Sequence, residues 1–399
     1  MPYFQGFSVT LFAFGMFGTV FGYFLPDMVP PDLLQIIIFI ILLLYVLLIL
    51  KFTIGWYKIE KAEDISFTPK VSVVIALRNE ESQVEKLLKD LQSLIYPTDK
   101  IEFVLVNDHS TDNTYELLQK NTIDNLILIK LKGGQGKKQA ISKAISVAGG
   151  EIIITTDADC SFNPNWVQTI ASYFSDKRIK LVSGPVIYQI QKSVFQKLQS
   201  LEFTSLIASG AGAIGSGNAI FCNGANMAFR KDVFLEANDL LNNSAVSGDD
   251  VFLLHSVKQK YPNTIVFAKD EDAIVRTKGT PSIKEFINQR KRWAAKSSDY
   301  KDSATIYTSF LVLFTNLSLI YLFANCIADI SALQIFGCFY ITKFLIDMLL
   351  LYPALKFFKR TDLVKWILPF EIFYSFYIVL IVILSFTQSF NWKGRIQKK

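Results

Sequence analysis

The stretch EIIITTDADCSF, residues 151–162, decides how this chain reads. Apolar and β-prone residues run straight into Asp157-Ala158-Asp159. A buried strand that ends in two carboxylates, two residues apart, needs a reason in a chain otherwise so apolar. Working outward, VSVVIA (71–76), IEFVLV (101–106) and NLILIKL (125–131) read as further strands. Residues 80–94, 112–120 and 137–148 read as helices between them. Strands alternating with helices predict βαβ units and a parallel sheet covered on both faces.

The composition outside this region differs. Of 399 residues, 51% are hydrophobic and 34 are Phe, and the mean hydropathy is +0.32. That is too apolar for an ordinary soluble enzyme. Residues 33–50, LLQIIIFIILLLYVLLIL, carry no charge and are long enough to cross a bilayer core of roughly 30 Å. The run 7–25 is also uncharged but contains Gly. It lacks a basic leader and a small-residue cleavage site, so it reads as a second span rather than a signal peptide. Further spans are expected near 306–327, 332–353 and 365–387. Lys343 and Asp347 in the second of these lie four apart on one helix face, placed to pair or to face the bundle interior.

Three regions follow: a membrane region at 1–55 with two spans, a soluble domain at 56–300, and a membrane region at 301–399 with about three spans. The loop 26–32 has two Asp and no Lys or Arg, whereas the segment after 50 and KFFKRTDLVK (356–365) are basic. The positive-inside tendency puts both basic regions, and so the soluble domain, in the cytoplasm. Three C-terminal spans then leave the basic tail KGRIQKK (393–399) outside, against the tendency, unless one of them only lies on the membrane. The four Cys, at 160, 222, 326 and 338, have no CxxC spacing, so neither a zinc site nor a disulfide framework is indicated. The net charge of +6 sits beside apolar segments and reads as membrane-edge charge. No basic face interleaved with aromatics points to nucleic acid.

In open α/β sheets, ligands bind beyond the carboxyl ends of the strands. VLVND brings Asp108 to one such end, and IIITTDAD brings Asp157 and Asp159 to another. Two carboxylates there can serve a hard divalent cation together with a phosphate-bearing ligand. The plain alternative is a solvated turn with helix-capping Asp, since DCSFNP looks like a turn. SGDDVFLLH (247–255) supplies Asp249 and Asp250, either as ordinary charge at a helix N-terminus or as a general base. In QRKRW (289–293), on a helix expected over 282–297, Gln289, Arg292 and Trp293 share a face. An amide, a guanidinium and an indole together suit a phosphate and a sugar ring, while a basic amphipathic helix on lipid headgroups is the alternative.

The order Asp108, Asp157-x-Asp159, Asp249-Asp250, Gln289-x-x-Arg292-Trp293 resembles the membrane-bound inverting glycosyltransferases of family 2, among them cellulose, chitin and hyaluronan synthases and ceramide glucosyltransferases. The likeness covers roughly residues 68–300. VSVVIALRNEE (71–81), GQGKKQAISKAI (134–145) and FCNGANMAFR (221–230) also look like family segments, although the Pro often found before Asn-Glu is absent.

The resemblance implies a Rossmann-like GT-A domain of the α/β class, flanked by transmembrane helices. It implies that Asp108 holds the uracil of a UDP-sugar and that Asp157 helps hold the nucleotide. Asp159 would ligate Mg2+ or Mn2+ at the diphosphate. Lys137 and Glu80 would join the substrate-binding set, with Lys138 beside Lys137 leaving that choice open. Asp250 would be the catalytic base. Asp249, where relatives often carry Glu, would assist it. Gln289 and Arg292 would steady the diphosphate, and Trp293 would line the acceptor site. His109 and His255 receive no role. The expected activity is metal-dependent inverting transfer from a nucleotide sugar to a membrane-associated polysaccharide. Transfer of one sugar to a lipid is the alternative, and a non-catalytic membrane partner in cell-envelope synthesis is another. Membrane lipids and partner subunits are the expected neighbours, and a bacterial inner membrane is the expected location.

Overall fold

The computed structural model describes residues 33–190, 193–237, 249–296, 299–387, 390–392 and 395–397. The span expected at 7–25 and the loop 26–32 lie outside these residues.

Seven strands form one sheet. They are β1 (Val71–Leu77), β2 (Ile101–Asn107), β3 (Leu126–Lys130), β4 (Ile152–Asp157), β5 (Leu181–Ser183), β7 (Met227–Arg230) and β8 (Ile265–Phe267), in the order β3-β2-β1-β4-β7-β5-β8. β6 (Val186–Tyr188) and β9 (Val275–Thr277) form a separate parallel pair. The four strands legible in sequence are parallel, with Val71 opposite both Ile101 and Ile152. Six of the seven β1 residues are buried, which is why it reads as a continuous apolar run rather than an alternating one.

The sheet is not wholly parallel. β7 runs antiparallel to β4 and β5, pairing Ala228 with Ile154 and with Val182. Helices cover it: α2 (Val84–Gln92), α3 (Thr114–Lys120), α4 (Lys137–Val147) and α5 (Trp166–Ser172). In α2 the buried Val84, Leu87, Leu88 and Leu91 recur at helical spacing. The helix expected from 80 starts at Val84, because the preceding residues bind the next loop. The Glu80 N–H donates to Thr114 Oγ1 at 2.8 Å, and the Thr111 N–H to Asn79 Oδ1 at 2.9 Å.

Among the described residues, four helices are long and apolar enough to cross a membrane. They are α1 (Leu33–Lys58), α10 (Ser303–Ala328), α11 (Leu333–Phe357) and α12 (Val364–Thr387). At about 1.5 Å per residue, 26 residues reach roughly 39 Å. Lys343 of α11 pairs with Asp347 at 2.8 Å and with Glu371 of α12. Tyr45 of α1 donates to Asp347 at 2.7 Å. The polar residues inside these segments thus meet one another across three helices.

Helix α6 (Val194–Gly215) packs against α1 and against β6 and β8. It was not legible as an amphipathic helix because it is buried nearly all round, including Gln199, Glu202 and Thr204. At its end Gly212 and Gly215 meet Gly55 of α1 backbone to backbone. A Cβ on Gly55 would fall on the Gly212 carbonyl, and one on Gly215 would fall on the Gly55 carbonyl.

Candidate functional site

The carboxyl ends of β1, β2 and β4 lie side by side, Leu77 beside Asn107 and Ala76 beside Asp157. They open onto a cavity of about 1110 Å³. Its lining brings Glu80, Asp108, Lys137, Asp157 and Asp159 together with Asp250, Gln289, Arg292 and Trp293. Residues as far apart in sequence as Glu80 and Trp293, 213 positions, therefore share one space. The long apolar helices contribute to the same lining, with Tyr45, Phe52, Asp347, Leu350, Glu371 and Tyr374.

Asp108 follows β2 and is buried. Its Oδ2 accepts the Gly136 N–H at 3.0 Å, and His109 Nδ1 lies 3.1 Å from Oδ1. Gly136 has φ +101° and Gly134 has φ +70°, a backbone that side chains other than glycine resist. The glycine-rich turn therefore brings an N–H onto Asp108 and delivers Lys137 as the first residue of α4. Arg78, which the sequence did not single out, donates to the carbonyls of Asp108 and His109, both at 2.9 Å.

Lys137 Nζ bonds the Asp157 carboxylate at the end of β4. Burial pushes the Lys137 ammonium down, but the charge and hydrogen bond of Asp157, with Asp250 behind it, outweigh burial and hold it above the usual lysine range. Cys160 sits between these carboxylates. Burial first, then Asp157 and Asp159, push its thiol well up, so it stays an inert thiol.

Asp159 Oδ2 accepts from Thr277 Oγ1 of β9 at 3.1 Å. No group of three or more His, Cys, Asp or Glu able to hold a metal occurs among the described residues. The donors present suit a hard cation that completes its shell with phosphate oxygens and water, and do not suit a soft metal needing a full protein cage.

Asp250 is the second residue of α8 (Asp249–Lys260). The N–H groups of Gly224 and Val251 donate to its two oxygens, each at 3.0 Å. The side chain of Asp249 lies outside the described part. Helix α9 (Ile283–Lys296) turns Gln289, Arg292 and Trp293 toward the cavity. Burial pushes the Arg292 guanidinium down, while Asp157 and Asp250 pull it back up. It remains a cation at neutral pH. Gln289 Oε1 accepts from Arg290 and, at 3.4 Å, from Tyr188. Trp293 lies 6.0 Å from the Phe203 ring.

The two histidines differ. His109 borders the site beside Asp108, whereas His255 is bonded to Thr305 Oγ1 at 3.0 Å and set edge-on to Tyr300. Sequence reasoning missed Arg78, Thr277, Tyr188 and Gly224. Gly224 lay within the quoted segment 221–230, but nothing local ties it to Asp250.

Known proteins resemble parts of this chain. The profile for "Glycosyl transferase family 2" matches residues 72–236. The chain is 27% identical over 175 residues to a poly-beta-1,6-N-acetyl-D-glucosamine synthase of Staphylococcus aureus, covering 41% of this chain and 42% of that one. It is 33% identical over 102 residues to the probable glycosyltransferase YdaM of Bacillus subtilis, covering 24% of each. The chain thus spans less than half the length of the curated relatives it matches. Among solved structures, a mannosyltransferase from Pyrobaculum calidifontis in complex with GDP-Man and Mn2+ aligns over 94% of this chain and 98% of its own. Its TM-score is 0.57 at 16% identity, a likeness of fold. Residues 72–236 thus match a glycosyl transferase family 2 domain, in a chain with a GT-A-like fold and four apolar helices long enough to cross a membrane.

Proposed function

We propose that the protein transfers a sugar from a nucleotide sugar, with inversion, to a membrane-associated glycan. The observation that carries this reading is the single cavity. Asp108, Lys137, Asp157, Asp159, Asp250 and Arg292 share its lining with residues of the long apolar helices. The acceptor can therefore come from the membrane side to the reacting bond.

In this reading Asp108, with Glu80 and Asp157, holds the nucleotide. Lys137 orients Asp157 and adds positive charge beside the diphosphate. A divalent cation, Mg2+ or Mn2+, would be held by Asp159 and the diphosphate oxygens and would offset the charge of the leaving nucleotide. Asp250 accepts the proton of the acceptor hydroxyl. The acceptor oxygen bonds to the anomeric carbon on the face opposite the nucleotide. The carbon–oxygen bond to the diphosphate breaks, and its electron pair stays on phosphate, facing Arg292. Gln289 steadies the diphosphate, Trp293 lines the acceptor side, and Asp249 supports Asp250. The poly-beta-1,6-N-acetyl-D-glucosamine synthase among the relatives favours a polysaccharide product. A second reading, one sugar transferred to a lipid, draws on the apolar part of the lining with Leu48, Phe52 and Ile378.

We place residues 1–55 and 301–399 in a bacterial inner membrane and the domain at 56–300 on the cytoplasmic face. Lys359 of the basic loop pairs with Glu271 of the domain, and Lys61 with Asp270, so basic edge and domain share a side. α12 packs along α9, and the tail strand Phe390–Trp392 touches α9 as well. This supports a helix α12 that runs along the membrane face and returns the basic tail to the domain's side.

The test is nucleotide release from a panel of UDP- and GDP-sugars by purified protein, with Mn2+ or Mg2+ and then with EDTA. Metal-dependent turnover is expected, lost in Asp159→Ala. Asp250→Asn should slow transfer by about 10²–10⁴-fold while still binding nucleotide. Full activity in either variant would remove that residue's role. Long product ladders would support the polysaccharide, and one sugar per lipid the alternative.

A further inference from the structure

We propose that Arg290 and Glu202 are positioning residues for the helix face that meets both diphosphate and acceptor: Glu202 anchors Arg290, and Arg290 sets both Gln289 and Trp293. The activity readout rests on the glycosyltransferase reading above, and the placement rests on geometry alone.

Both side chains are 3% exposed. Arg290 Nε donates to Glu202 Oε1 at 2.8 Å, and Nη2 donates to the other carboxylate oxygen. The third arm, Nη1, donates to Gln289 Oε1. The face of the same guanidinium covers the Trp293 ring, with Cζ 4.2 Å from its centroid, and the Phe286 ring at 4.5 Å. One planar fork thus holds a carboxylate, an amide and an indole at once. Lysine, a point charge on a flexible stem, cannot do this.

The anchor is itself fixed. Tyr377 of α12 donates to Glu202 Oε1 at 3.2 Å. Gln199, three residues earlier on α6, bonds Thr280 in the loop that leads into α9. Helix α6 therefore grips α9 at its entry and at its middle. Apolar side chains would fill the Arg290–Glu202 space at no loss of stability. They would not hold an amide and an indole in register over the cavity.

The experiment compares full-length Arg290→Lys, Glu202→Gln, Tyr377→Phe, Gln289→Ala and the Gln289→Ala/Arg290→Lys double variant with wild type, all in detergent. Amide hydrogen exchange reads the placement of residues 283–296. Acceptor-dependent nucleotide release reads transfer, and UDP binding reads the donor side. Arg290→Lys should raise exchange in 283–296 and leave 71–77 and 152–157 protected. It should lower kcat/KM for the acceptor by about tenfold or more and weaken UDP binding through the loosened Gln289. Glu202→Gln should do the same. Tyr377→Phe keeps the ion pair and should show a smaller shift of the same kind, so it carries the test if the others do not fold. Because Arg290 acts in part through Gln289, the double variant should lose less than the product of the two single losses. Unaltered exchange in 283–296, or losses that multiply in the double variant, would overturn the proposal. A wild type that releases no nucleotide from any donor would overturn the glycosyltransferase reading, and the exchange pattern would still decide the positioning.

Discussion

Asn226→Ala should unfold the protein more readily than any change at the surface, and the structure sets the size of the loss. Asn226 is fully buried. It accepts from Trp166 Nε1 at 3.0 Å and donates to the carbonyls of Pro185 at 2.9 Å and Ala273 at 2.8 Å. It packs directly on the Cα of Gly184, where any Cβ would collide with its amide. After truncation the Pro185 carbonyl keeps the Val275 N–H at 3.0 Å, so the Trp166 indole and the Ala273 carbonyl bear the loss. Each buried group left without its partner costs about 1–3 kcal/mol, so the two together cost about 2–6 kcal/mol. In a domain of this size that is a fall in Tm of roughly 5–20 °C. Asn226 also closes the turn whose Gly224 N–H binds Asp250, so transfer should fall further than the folded fraction does. Thermal unfolding in detergent, followed by activity normalised to folded protein, measures both. A fall in Tm smaller than about 1 kcal/mol would imply would show that water or a neighbouring group replaces the amide, and the reasoning would fail.

Two other outcomes are expected. Gly212→Ala inserts a methyl against the backbone of Phe52 in α1 and should destabilise by about 1–3 kcal/mol; Gly337→Ala, with open space at its Cβ, should not, and equal Tm values for the pair would refute the close crossing. Burial holds the His255 imidazole below the usual histidine range, against the pull of Asp302. The unfolded chain then takes up the proton first. His255 therefore contributes stability above about pH 6.5, lost as pH falls toward the folded value with a slope of at most about 1.4 kcal/mol per unit. His255→Gln should flatten that slope in a urea titration at several pH values, and an unchanged slope would count against it.

How much of this was legible depends on how local each signal is. β1, β2 and β4 announce themselves because parallel strands buried on both faces are continuous apolar runs, and their ends carry Asp108 and Asp157. β5, β7 and β8 are three or four residues long and are strands only by virtue of their partners, so the antiparallel entry of β7 had no local mark. Helix α6 hid for the opposite reason: with Gln199, Glu202 and Thr204 buried beside Phe203 and Ile207, it has no polar face to set its period. The shared face of Gln289, Arg292 and Trp293 followed from helical spacing. Arg290, in the same five residues, had no visible role because its partners Glu202 and Tyr377 lie 88 and 87 positions away. Likewise Lys343 and Asp347 could be paired on paper, but Tyr45 and Glu371 come from other helices.

The crossing of α1 and α6 at Gly55, Gly212 and Gly215 has a mechanical consequence. Where two backbones touch, there is no side chain to yield, and the joint behaves as a bracket rather than a hinge. The distance between the chemistry and the long apolar helices is then set by that bracket. The connecting segment 59–70 is itself strapped to the domain, Lys61 to Asp270 and the carbonyls of Ile65 and Phe67 to Gln168, so bracket and strap fix the same distance twice.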